Sequence, residues 1–129
     1  MKIFKMVFAG IVLIILEMLA EFLVTLPLGT PASEELAVIR QYLVWEFLLA
    51  ALPAGALTFL AALVLRLKTR KDALLHGIVW TGLFLLYMLA VAIGNQRFGP
   101  VFGNISFYVL LALYFLGPLV MAQVRKLPA

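Results

Sequence analysis

Four long apolar stretches, near residues 3–26, 37–65, 73–94 and 104–123, take up most of this 129-residue sequence. Each is long enough to cross a bilayer as a helix, since a hydrocarbon core of about 30 Å needs about 20 apolar helical residues. In that medium every backbone N–H and C=O must find a partner inside the protein, and a helix achieves this within one segment. The expected fold is therefore an all-α integral membrane protein. It is a four-transmembrane-helix bundle built from two up-down hairpins, with residues 1–129 forming one membrane domain.

Composition limits what else the chain can be. With 66% hydrophobic and 12% charged residues, too few polar groups remain to cover a water-facing surface. Soluble enzymes, free nucleic-acid readers and disordered adaptors are excluded. The net charge of +4 does not point to nucleic acid, because the basic residues sit between apolar spans. No cysteine is present, which removes disulfides, thiolate metal sites, cysteine nucleophiles and a lipobox. Lys2 and Lys5 precede the first apolar run as in a signal peptide, but the run is longer than a typical h-region and contains Glu17 and Glu21. A retained helix is expected.

The joints between spans carry helix-end chemistry. Pro27, Gly29 and Pro31 break the first helix, and Ser33 with Glu34 and Glu35 is the expected N-cap of the second. The early turns of that helix fall in the headgroup region, with Tyr42 and Trp45 marking the interface. Residues 66–71 close the second span, residues 95–103 close the third with Gly99-Pro100 as a turn signal, and Arg125-Lys126 stops the fourth. Lys2, Lys5, Arg66, Lys68, Arg70, Lys71, Arg125 and Lys126 then share one side, whereas Arg40 and Arg97 lie on the other. The positive-inside rule places both termini in the cytoplasm, and so uneven a split opposes dual topology. The expected location is a bacterial or archaeal cytoplasmic membrane. The two hairpins each have a Pro/Gly turn outside and a proline in the returning helix, Pro53 and Pro118, with kinks expected near both. This is at most a parallel duplication, unlike the inverted repeats of many secondary transporters.

Ionisable side chains inside a span are costly, by at least about 2.5 kcal/mol at the helix centre, and so mark candidate sites. Glu17 lies about 17 to 21 Å from the inner end of the first helix and Glu21 one turn further out. With Gly10, Leu13 and Val24 they form one stripe, which must face protein or water. Glu46 lies on a stripe of the second helix with Tyr42, Ala50 and Pro53. All three carboxylates fall in the outer half, which also holds Arg40 and Arg97. Two readings follow. The cluster binds a cation or exchanges protons, because apolar surroundings and like charges disfavour full ionisation. Otherwise it is an interhelical lock, in which Glu21 and Glu46 pair with Arg40, Arg97 or an amide such as Asn104.

Other residues carry weaker signals. Asp72 and His76, one turn apart, read as an interfacial ion pair more readily than as a proton shuttle. A single histidine and no Glu-x-x-His pattern exclude the common metal sites, and no cofactor is expected. Trp80, Phe84 and Tyr87 form an aromatic stripe on the third helix; Trp45, Trp80 and Tyr87 are candidate cavity aromatics, with a packing seam as the simpler account. Ala51/Gly55, Ala54/Thr58, Gly77/Thr81 and Ala90/Gly94 have the small-xxx-small spacing that lets helices approach closely, within one chain or between two. The basic 66–71 cluster can contact anionic headgroups, but topological anchoring accounts for it without a ligand. There is no nucleophile triad, P-loop or dinucleotide fingerprint, and enzymatic activity is not expected.

Four spans in a chain of this length, with a glutamate inside the first helix, resemble the small multidrug resistance transporters in architecture. That family's sequence signature is absent around Glu17, and the basic 66–71 loop and second carboxylate Glu21 depart from its pattern, so no residue role is carried over. The sequence supports two functions. One is an oligomeric transporter or ion pathway whose carboxylate site lies on the first helix, with two protomers expected to enclose the aqueous cavity. The other is a non-catalytic accessory subunit of a larger membrane complex, whose glutamates dock partner helices. In either case the partners are the bilayer and a second copy or another membrane subunit. Carboxylates converging on a solvent-reaching cavity favour the first; a dry ion pair or an outward-facing carboxylate favours the second.

Overall fold

The computed structural model of the protein describes residues 2–29 and 35–129. Helix α1 (Lys2–Thr25) ends in a 3₁₀ turn (Leu26–Leu28) and is followed by α2 (Leu36–Val64), α3 (Arg70–Gly94), a short α4 (Phe98–Phe102) and α5 (Ile105–Val124). Among the described residues, four helices are long and apolar enough to cross a membrane. The protein is a membrane-embedded all-α bundle.

Helix ends follow local chemistry, with two departures from expectation. The Thr69 hydroxyl accepts from the Asp72 N–H at 3.1 Å and starts α3 earlier than the apolar run alone requires. Asn104 caps α5 through Ser106 N–H at 3.0 Å. The N-cap position of α2 falls on Glu35, which makes no side-chain cap bond; Pro31, Ser33 and Glu34 lie outside the described residues. Gly99-Pro100, expected as a turn, lies inside α4. Proline fits there because the N–H groups of a first helical turn have no intrahelical acceptor to lose. Helices α2 and α5 run on through Pro53 and Pro118.

Around the bundle, α1 touches α2 and α3, and α5 touches the same two, so α1 and α5 stand at opposite corners. The closest seam joins α2 to α5. A Cβ at Gly117 would collide with the Thr58 side chain and come within 2.8 Å of the Phe59 backbone nitrogen. The small-residue pairs on α2 and at Gly77 thus serve packing within the chain, with Ala51, Ala54 and Thr58 buried and Gly77 against the Phe115 carbonyl, whereas Ala90 and Gly94 are exposed and Gly94 meets no neighbour. Thr58 donates to the Ala54 carbonyl at 3.0 Å, which satisfies its hydroxyl inside the seam. Outer rings fill the space above, with Phe47 and Phe107 at 5.4 Å and Phe84 stacked on Tyr114 at 4.7 Å. Helix α1 buries the smallest share of its span and presents Phe4, Phe8, Ile15 and Leu19 outward, the surface a lipid-facing helix needs.

The first turns of α1, the 65–72 connection and the C-terminal residues meet at one end. Lys5, Met6, Arg66, Lys68, Asp72 and His76 line one cleft there, and the Arg70 N–H donates to the Pro128 carbonyl at 2.8 Å. The side-by-side grouping of basic segments read from the loops is thus a feature of the fold.

Candidate functional site

At the other end, α1, α2, α3 and the α3–α4 connection enclose a cavity of about 360 Å³. Its polar lining comprises Glu21 and Thr25 from α1, Tyr42 and Glu46 from α2, Tyr87 from α3, and Asn95 and Arg97 beyond it. The helical stripe read from the sequence explains the α1 contribution: Gly10, Leu13 and Glu17 are buried and Glu21 half-buried, all on the inward face. The α2 stripe does the same for Tyr42, Glu46 and Ala50. All of these lining residues come from one chain.

The Glu21 and Glu46 carboxyl groups, on different helices, lie within hydrogen-bonding reach of each other. Two ionised carboxylates repel at that range; a shared proton, or a cation in its place, is what holds a pair of this kind together. Around the pair, the Tyr42 hydroxyl donates to the Gly29 carbonyl at 2.7 Å and ties the end of α1 to α2. The Tyr87 hydroxyl meets the Met18 sulfur at 2.9 Å and ties α1 to α3. Thr25 donates to the Glu21 carbonyl at 2.6 Å. These bonds fix the walls while leaving both carboxyl groups on the cavity.

Glu17 lies one turn deeper and is 0% exposed. Neither of its oxygens has a hydrogen-bond partner, and the same holds for the buried hydroxyls of Thr81 and Tyr114. Glu17 is close enough to interact electrostatically with Glu21 on one side and Tyr114 on the other. Buried polar atoms without partners are rare in folded proteins and call for a reason, and functional sites are where they collect. A carboxyl group buried among apolar walls near a phenol hydroxyl can accept and release a proton, or bind a cation that has shed its water.

The remaining sequence candidates divide. Arg97, half-buried, lines the cavity and interacts electrostatically with Tyr42. Gln96 makes this possible: its positive φ of 57° turns the chain at the end of α3 so that the next residue faces back over the opening. Arg40 is exposed and lines a separate groove with Asn104, whose side-chain amide donates to the Arg40 carbonyl at 3.4 Å. Trp45 is 52% exposed and is not among the residues lining the cavity. Trp80 is buried near the opposite end, where its Nε1–H donates to the Met6 carbonyl at 2.9 Å. Of the three candidate cavity aromatics, Tyr87 alone joins the cavity lining. His76 is buried, donates from Nδ1 to the Asp72 backbone carbonyl at 2.7 Å and sits edge-on to Trp80 at 5.2 Å.

Tyr114 was not legible as a site residue. Its sequence neighbours are apolar, and only the packing of the bundle brings it to Glu17. Among the described residues, no three His, Cys, Asp or Glu side chains gather as a metal-ligand set. Comparison with protein-family profiles, with curated protein sequences and with solved structures found no match.

Proposed function

We propose that this protein is an ion pathway or transporter in which the Glu21–Glu46 pair takes a proton or small cation from the outer cavity and exchanges it with Glu17. The observation that carries this reading is the carboxyl–carboxyl contact on a cavity, with an unpartnered glutamate one turn behind it. Paired carboxyl groups suit exchange because the second group raises the energy of the doubly ionised state, so the bound ion is held but not trapped. The aromatic walls Phe22, Tyr42 and Tyr87 would favour a cation in the same space. Arg97 opposes it and sets an upper limit on residence time. The basic end of the bundle would face the cytoplasm of a bacterial or archaeal cell, as the loop charges favour.

An accessory role, with glutamates docking partner helices, asks for an outward-facing carboxylate or a dry ion pair. Glu17 is enclosed and unpaired, and Glu46 faces the cavity, so the transport reading is the better supported.

The test is flux into liposomes containing the purified protein and a trapped pH-sensitive or sodium-sensitive dye, driven by a potassium diffusion potential. Glu21→Gln and Glu46→Gln are each expected to reduce the flux at least about tenfold, the scale set by the loss of a positioned acid–base group. The double variant is expected to be no worse than either single one, since the pair acts as one unit. Parent protein that carries no ion, or single variants with parental flux, would reject the proposal.

A further inference from the structure

At the basic end, the last turns of α2 and α5 enclose a second cleft of about 450 Å³. Arg66, Lys68 and Arg125 line it, and no acidic residue does. Beneath them the floor is apolar: Leu63 and Met121 from the two helices, and Leu127 from the C-terminal residues. The neighbouring cleft shares Arg66 and Lys68 but adds Asp72, whereas the α2–α5 cleft adds Arg125 and no acidic residue.

Two features show this cleft to be shaped by the fold. Arg66 and Lys126, each just past a helix end, have positive φ values of 56° and 52°, a conformation normally left to glycine. The chain turns back at both points. The C-terminal residues are then held down by the Leu127 N–H on the Ala122 carbonyl at 3.0 Å and the Arg70 N–H on the Pro128 carbonyl at 2.8 Å. These bonds hold Arg125 and Leu127 in the wall of the cleft.

We propose that this cleft binds the phosphate headgroup of an anionic membrane lipid, with its acyl chains running along α2 and α5. Three cations over an apolar floor match a phosphate diester joined to hydrocarbon. The depth is right, because the cleft sits where two membrane-spanning helices end. Near those helix ends Leu60, Val64, Val120 and Val124 are exposed, the apolar outer surface that acyl chains meet. A free phosphate shares the headgroup's charge but leaves the apolar floor unused, which is why a lipid is the better fit. The site is separate from the carboxylate cavity and does not depend on the role proposed for it.

Native mass spectrometry of the full chain in detergent, with phosphatidylglycerol or phosphatidylcholine added, tests the proposal. The parent is expected to retain phosphatidylglycerol in preference to phosphatidylcholine. The pair Arg66→Gln/Arg125→Gln should weaken that retention about thirtyfold, about fivefold per basic residue. Lys71→Gln/Lys126→Gln removes the same charge from exposed positions outside the cleft lining and should leave retention within about threefold of the parent. Arg66→Gly, which suits the left-handed backbone, removes the cation without a conformational cost and should reproduce the single-site loss. Equal weakening by both charge pairs would show a diffuse surface effect and overturn the proposal. So would equal retention of both lipids, or displacement of the lipid by inorganic phosphate at matching concentration, which would mark a free-anion site.

Discussion

Two seams of the bundle bury polar atoms in opposite ways. Between α2 and α5, Thr58 gives its hydroxyl to the Ala54 carbonyl, and Gly117 lets the backbones approach until no side chain fits between them. Where α1 and α5 face each other across the core, Glu17 and Tyr114 are buried with polar atoms that meet no partner. The first seam is what a membrane helix pair needs for stability, close packing with every polar group satisfied. The second departs from that rule at a chemically active group. Proteins tolerate such departures where function requires them and the rest of the fold is stable enough to carry them.

The contrast can be broken from either side. Gly117→Val should have the largest effect, because the added carbons occupy space held by Thr58 and Phe59. Overpacking at this point is expected to lower stability by about 3 kcal/mol or to prevent folding, read as the thermal unfolding midpoint in detergent. If Gly117→Val unfolds like the parent, the α2–α5 seam is not the stable element. Glu17→Leu should act in the opposite direction. Replacing a buried, unpartnered carboxyl with an apolar side chain of similar length is expected to stabilise the protein by about 2 kcal/mol while abolishing flux. A loss of stability instead would mean that Glu17 has a partner on which the fold depends. Trp80→Phe should have the smallest effect of the three. It leaves the Met6 carbonyl without its donor, at a cost of about 1 kcal/mol, and should not change flux because Trp80 lies away from the carboxylate cavity. A flux defect in Trp80→Phe at parental stability would extend the pathway toward the basic end.

Much of this was legible in the sequence, for a definite reason. Span positions, the grouping of basic loops and the inward face of α1 all depend on residue spacing within one helix, and helical periodicity reports that directly. What was not legible depends on which helices are neighbours. Arg40 and Arg97 are equivalent as outer-side cations, yet the α2 surface carries Arg40 away from the cavity while the left-handed Gln96 brings Arg97 to it. Trp80 and Tyr87 share a stripe but sit two turns apart, so one locks the basic end and the other lines the cavity. The helical residues at 98–102 were masked by a Gly-Pro pair that reads as a turn until the register of the helix start is known. Tyr114 comes within electrostatic reach of Glu17 only through tertiary packing.

The most direct test of the central claim pairs flux with stability for Glu17→Gln, which keeps shape and polarity and removes the acid. Parent and variant would be reconstituted with a trapped pH-sensitive dye, and thermal midpoint and oligomer mass measured on the same preparations at acidic and alkaline pH. The expected result is a variant with the parent's midpoint and mass that carries no ion at either pH. A variant that is destabilised by about 3 to 5 kcal/mol and dissociated, while still conducting like the parent, would contradict the claim and make Glu17 a docking residue.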